Sequence, residues 1–279
     1  SAVFGALADI KIKNSEIQKS SSNWGAVYLL GANANITNTD FVNLSSNYAS
    51  AVYATGSKVM IDKSKFTNLK SGKTAGAIGS KESKEFIIKN SEFSNISSDK
   101  NGGSLYFDLV ENVEISNSTF TQSYGGAILQ LEGKLSVENC NFTHNSALYD
   151  GGAIYTSYVN LKINNSNFEN NHGLNDGNRG SNGGSLYLDM TNATINNSNF
   201  TNNFAAFNGG AIYTYDTSLS MNQSYFTNNS LLNTTGIFSA FDKNYTALNC
   251  NFTEDIISLN NTIYATIVDG SGITLTLVN

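Results

Sequence analysis

Three aspartates recur at nearly one interval: Asp189, Asp216 and Asp242 stand 27 and 26 residues apart. Acids at that spacing fall in one row if the chain returns to the same place every 26 or so residues. A row of carboxylates could supply the acid and base of glycoside hydrolysis or hold a calcium ion. The plainer reading is three exposed acids at a turn. Basic partners are sparse around them, with Arg179 the one arginine and Lys243 the nearby lysine, too few for a cleft gripping an acidic sugar. His144, His172, Cys140 and Cys250 show no metal-ligand spacing. The sequence therefore predicts no metal and no cofactor, and an enzyme only as the alternative.

A second chemistry is covalent. The acceptor pattern Asn-x-Ser/Thr occurs fifteen times, in a chain with 42 asparagines among 279 residues, so composition inflates the count. The expected glycan sites are Asn43, Asn95, Asn141, Asn164, Asn196, Asn199, Asn222, Asn228, Asn233 and Asn251. Asn117 also carries the pattern but lies in a row of turn asparagines and is expected to stay unmodified.

These residues need an element that repeats. Phe41, Phe66, Phe93, Phe120, Phe142, Phe168, Phe200, Phe226 and Phe252 recur at spacings of 22 to 32, with Ile17 as a degenerate first copy. A Gly-Gly-Ala/Ser-Ile/Leu anchor shares the period at Gly102, Gly125, Gly151, Gly183 and Gly209. Apolar residues five and seven places before each Phe, such as Ile163 and Leu161, alternate as in a strand with one buried face. No helix-length stretch escapes the repeat. Twenty-six residues are too few for a propeller blade and lack the leucine frame of a horseshoe, but suffice for three short strands and three turns. The fold class is all-β: a right-handed parallel β-helix of about ten coils, one domain over residues 1–279. Like residues should then stack at about 4.8 Å.

The repeats resemble those of the chlamydial polymorphic membrane proteins, whose mark is Gly-Gly-Ala-Ile/Leu/Val followed by Phe-x-x-Asn. The match is nearest at Phe142-x-x-Asn145, Phe168-x-x-Asn171, Phe200-x-x-Asn203 and Phe226-x-x-Asn229. In the first half the Asn comes one place early, at Asn43, Asn68 and Asn95, with an apolar residue after it. The resemblance implies a surface-exposed, non-enzymatic adhesive or structural passenger.

Several further expectations follow from the phase of the repeat. Three residues before each Phe an Asn row (Asn14, Asn38, Asn90, Asn117, Asn139, Asn165, Asn197, Asn249) is broken by Lys63 and Gln223; it should hold left-handed turns and bond amide to amide along the rod. Tyr28, Tyr53, Tyr106, Tyr155, Tyr187 and Tyr213 should point outward in one line, interrupted by Gly79 and Leu129. That line is either cross-coil packing or an interaction strip for sugar or protein. Cys140 and Cys250 take Ser/Thr slots four coils apart, too distant for a disulfide. The long interval between Phe168 and Phe200 places a protruding loop at residues 172–182.

Net charge is −6, divided as +4 over residues 1–100 and −10 over 101–279. The acidic balance argues against nucleic acid, and no apolar run approaches a membrane span. The divided charge predicts end-to-end association with itself, or continuation into flanking domains as part of a longer chain or filament. Together these features predict an extracellular or cell-surface glycoprotein, delivered by the secretory pathway, acting as a rod in a coat, filament or adhesin.

Overall fold

The computed structural model describes residues 1–99, 102–175 and 180–232, and beyond them the backbone of 238–241, 245–248, 250–253, 257–260, 265–268 and 274–277. In that last part the described side chains are those of 246–248 and 250. The described residues form strands and turns without a helix, wound as a right-handed parallel solenoid of about nine turns with about 26 residues each.

Each turn of the solenoid lays one strand on each of three faces. The glycine face follows the Gly pairs and stacks Val27–Leu30, Val52–Thr55, Ile78–Lys81 and so on to Ile212–Tyr215. The isoleucine face stacks Lys58–Asp62, Glu85–Lys89, Asn192–Asn196 and Ser218–Asn222 with their equivalents. The phenylalanine face stacks Lys65–Ser71, Glu92–Ser98, Thr119–Tyr124, Asn141–Thr143, Asn167–Glu169, Asn199–Thr201 and Tyr225–Thr227. Register is held residue for residue, with Phe142 opposite Phe168 and Phe168 opposite Phe200. One described strand pairing is antiparallel: Thr274–Leu277 turns back onto Ala265–Val268.

Three internal columns hold the coils together. The first is aromatic. Rings from Phe41 to Phe226 stack face to face at 4.6 to 4.9 Å and within 5° of parallel. The spacing is that of neighbouring strands, and each ring pair adds about 0.5–1.5 kcal/mol beyond burial.

The second column is a run of hydroxyls two residues before the Phe positions, with Cys140 and Cys250 taking two of its places. Ser166 Oγ accepts from the Cys140 amide at 3.2 Å and donates to the Asn164 carbonyl at 2.9 Å. Ser64, Ser91, Ser198 and Ser224 act alike toward their neighbours. A small hydroxyl there satisfies backbone groups that the turn would otherwise leave buried and unpaired.

The third column explains Phe-x-x-Asn. Asn145, Asn171, Asn203 and Asn229 are fully buried. The side-chain amides of Asn145, Asn171 and Asn203 donate to the next Asn Oδ1, at 3.0, 3.1 and 2.9 Å down the row. Each also donates to a Phe carbonyl one coil back, as Asn171 does to Phe142. In the first half Leu44, Leu69 and Ile96 fill the same place as plain apolar core, and the Asn one residue earlier (Asn43, Asn68, Asn95) holds a left-handed turn with φ of 51 to 55°.

The row three residues before Phe differs from expectation in one respect. Its turns are left-handed throughout the described copies, Lys63 and Gln223 included. The amide ladder forms at Asn38–Asn14 (2.8 Å), while Asn90 reaches Asp62 instead. These side chains are exposed, so water competes for them. The amide network runs on the buried side, where an unmade bond is costly.

The second glycine of the pair is required by close approach at Gly103, Gly152 and Gly184. A Cβ on Gly184 would strike the Gly210 carbonyl oxygen of the next coil and the Phe204 backbone.

Candidate functional site

Asp189 and Asp216 are not brought into one row. Asp189 ends the strand Leu186–Asp189 and lies in register with Ser157 on one side and Tyr215 on the other. Ser157 Oγ donates to its Oδ2 at 2.7 Å. Asp216 stands one residue later in the following turn, in the left-handed position (φ 46°) that Met190 occupies in the coil before. The one-residue offset arises because 27 residues, not 26, separate the two. Asp242 lies outside the described residues. Among the described residues no three His, Cys, Asp or Glu side chains converge to hold a metal.

The tyrosines do share one column. Tyr28, Tyr53, Gly79, Tyr106, Leu129, Tyr155, Tyr187 and Tyr213 are successive register partners on the glycine face. The rings lie along the rod and are half-buried, and Tyr213 is 8% exposed. Tyr155, Tyr187 and Tyr213 stack at 4.8 and 5.0 Å. Burial raises the phenol pKa values of Tyr53, Tyr106 and Tyr187, that of Tyr106 to about 12. Nearby carboxylates add to the rise, Asp108 at Tyr106 and Asp150 at Tyr187.

Turn residues roof the column in the early coils. Trp24 stacks on Tyr48 at 4.4 Å and on Tyr28 at 5.6 Å, and Lys73 Nζ sits 4.8 Å from the Tyr48 ring centre. At Gly79 the Tyr53 ring leans into the vacant side-chain place, 3.1 Å from where a Cβ would stand. The other interruption behaves differently. Around Leu129 a cavity of about 360 Å³ opens, bounded by Tyr106, Leu131, Tyr149, Asp150, Tyr155 and Tyr187.

That notch has a simple origin. Tyr124 is in register with Ser97 and Ser146, and Ala127 with Ser104 and Ala153. Two residues, Gly125 and Gly126, thus make a connection for which each neighbouring coil uses six. The signal in the sequence is the 22-residue spacing from Phe120 to Phe142, the shortest in the repeat. Tyr149 and Asp150 belong to the longer connection beside it and were not singled out by the repeat.

The acceptor asparagines fall into two groups. Asn43, Asn95, Asn141, Asn199 and Asn228 are exposed. Asn141 and Asn199 flank Asn167 in an outward amide row, with bonds of 3.0 and 2.8 Å. Asn164, Asn196 and Asn222, expected to face outward freely, are half-buried; Asn196 Nδ2 donates to Asn164 Oδ1 at 3.0 Å. Their acceptor serines Ser166, Ser198 and Ser224 are the buried hydroxyls of the internal column. Asn117, expected to be engaged in its row, is exposed. Asn233 and the side chain of Asn251 lie outside the described residues.

The cysteines occupy the serine slots as expected, free and fully buried. Burial pushes the Cys140 thiol up to about 11, and its Sγ donates to the Glu138 carbonyl at 3.2 Å. The long coil after Phe168 begins as a strand, His172–Gly173, paired with Ser146–Ala147 and Phe204–Ala205. Further along, Asn175 and Gly180 form an antiparallel bridge, and residues 176–179 of the expected loop lie outside the described residues.

No curated protein matches the chain. The family model described as "Right handed beta helix region" matches residues 75–277. That span contains the stacked Phe rings from Phe93 onward, the buried Asn row and the tyrosine notch. The chain belongs to the right-handed β-helix family.

Proposed function

We propose that this chain is a non-catalytic extracellular rod, a structural or adhesive glycoprotein of a surface coat, filament or adhesin that reaches its place through the secretory pathway. The observation that carries the reading is the lengthwise row of exposed uncharged side chains on the phenylalanine face, where acceptor asparagines Asn141 and Asn199 alternate with the amide of Asn167. Such a surface suits repeated weak contact and covalent sugar better than bond cleavage. Asp189 ends a strand while Asp216 stands one residue later in a turn, so these two acids do not occupy equivalent positions of the repeat. The resemblance of the repeats to those of the polymorphic membrane proteins supports the same placement at a cell surface. The charge division further suggests end-to-end association, which light scattering across salt concentration would read.

The test is incubation of the purified rod with a panel of neutral and acidic polysaccharides, following new reducing ends and unsaturated products. The expected result is no release above a heat-treated control. Release that Asp216→Asn abolishes would replace this reading with a carbohydrate-active enzyme.

A further inference from the structure

We propose that the notch around Leu129 binds one pyranose unit of a neutral glycan. The inference rests on the adhesive reading above and names the ligand class and the place.

The notch is a built feature of the backbone. It exists because the connection through Gly125 and Gly126 is four residues shorter than its neighbours, while the tyrosine column loses one ring at Leu129. The two changes fall in the same coil and open the same space. Its volume of about 360 Å³ lies at the small end of ligand pockets, roughly 300–1,000 Å³. That is room for one ring of a chain that continues outward into solvent.

The lining selects the ligand. Tyr106 stands one coil before Leu129 and Tyr155 one coil after it; Tyr187 and Tyr149 complete the enclosure. Tyrosines are rigid, give an apolar face, and carry a hydroxyl at the edge. A sugar ring matches both parts, with C–H faces for the rings and hydroxyls for the phenols. An aromatic side chain of a protein partner would match the faces and leave the phenolic hydroxyls dry. The apolar floor is Leu129, 6% exposed.

Charge excludes the acidic sugars. Asp150 lines the cavity, Asp108 lies close enough to raise the Tyr106 phenol, and neither lysine nor arginine is among the lining residues. Asp150 is itself 8% exposed and positioned by Asn182, whose backbone and side-chain amides donate to its Oδ1 at 2.8 and 2.9 Å. A uronate carboxylate would enter a negative field with no cation to meet it among the described lining residues.

The experiment is calorimetric titration of the whole chain with cellohexaose, mannohexaose, xylohexaose, chitohexaose and hexagalacturonate. At least one neutral oligosaccharide is expected to bind, and hexagalacturonate not to. Leu129→Tyr restores the ring that Tyr106 and Tyr155 carry in the same column. It should fill the notch without disturbing the coil, and weaken binding about tenfold or more, while Tyr149→Ala should weaken it about three- to tenfold. Tyr225→Ala, 52% exposed on another face, should leave affinity unchanged. Absence of binding to all four neutral probes, preference for hexagalacturonate, or affinity untouched by Leu129→Tyr would each overturn the proposal. These failures leave the surface-rod reading standing. Binding accompanied by cleavage would keep the notch and remove that reading.

Discussion

Asn171 Oδ1 accepts both the side-chain amide and the backbone amide of Asn145, 26 residues earlier, at 3.0 and 3.1 Å. One oxygen thus ties a turn and a side chain of the preceding coil, while the Asn171 amide ties the Phe142 carbonyl. Replacing it by leucine, a residue of similar size that fills the same column at Leu44 and Leu69, keeps the volume and removes every partner. Asn171→Leu is expected to destabilise the protein by about 3 kcal/mol, since each orphaned buried group costs about 1–3 kcal/mol. Denaturant unfolding checks this; a loss below the error of the method would show that water or rearrangement supplies the missing partners.

Gly184→Ala should be harsher than its one added carbon suggests. The methyl would strike the Gly210 carbonyl oxygen and the Phe204 backbone, neither of which can rotate away. The expected outcome is loss of soluble, cooperatively unfolding protein or a midpoint drop of about 10 °C or more. Near-native melting would mean that the coils separate more readily than their hydrogen bonds imply.

Alkaline pH should weaken the fold in two stages. The Cys140 thiol rises from 9.0 to about 11 and the Tyr106 phenol from 10.0 to about 12, both chiefly by burial. For each, the unfolded chain loses its proton first, so the stability is complete below pH 9 and falls as pH climbs through 9 to 12. Thermal unfolding followed across that window should show a falling midpoint, and Cys140→Ser should flatten the portion below about 11. A midpoint level from pH 9 to 12 contradicts both shifts. The same burial makes the native thiol resist alkylation at neutral pH and react once denaturant is added.

Glycan occupancy should follow exposure rather than the sequence motif. In protein recovered from its own cells, Asn43, Asn95, Asn141, Asn199 and Asn228 are expected to carry sugar, and Asn164 and Asn196 to be bare. Enzymatic release in heavy-oxygen water with peptide mapping separates Asn196 from Asn199, three residues apart. Sugar on Asn196 with Asn199 empty reverses the assignment, and the absence of any mass change removes it.

Phe168 lies between rings at 4.8 and 4.7 Å. Its truncation to alanine should cost about 3–5 kcal/mol, the range for a large buried aromatic. Phe168→Leu should cost clearly less, because volume is largely kept while two stacked contacts are lost. Equal losses for both would mean that stacking, not filling, dominates.

The sequence made the coil legible because period carries physical information here. A Phe that returns with its Asn-Ser flank can only be stacked, and the strand alternation at Leu161 and Ile163 fixed which side faces inward. Function was less legible, for reasons of phase. One residue of slip placed Asp189 and Asp216 in different columns, which a count of 27 against 26 cannot distinguish from a shifted turn. The tyrosines take the expected column, and their half-burial was not legible because adjacent rings cover one another and turn residues such as Trp24 cover them again. Half-burial of Asn164 and Asn196 likewise comes from bonding between coils, which no single repeat displays.

The intervals between successive Phe residues range from 22 to 32, yet strand register holds across them. All the slack is taken up in the corners, so whole windings can be duplicated or deleted without redesigning those that remain. Lineages carrying such chains can lengthen or shorten their reach in increments of about 4.8 Å. They can also vary one corner at a time, so that novelty accumulates at the edges while the interior stays under a single, repeated constraint.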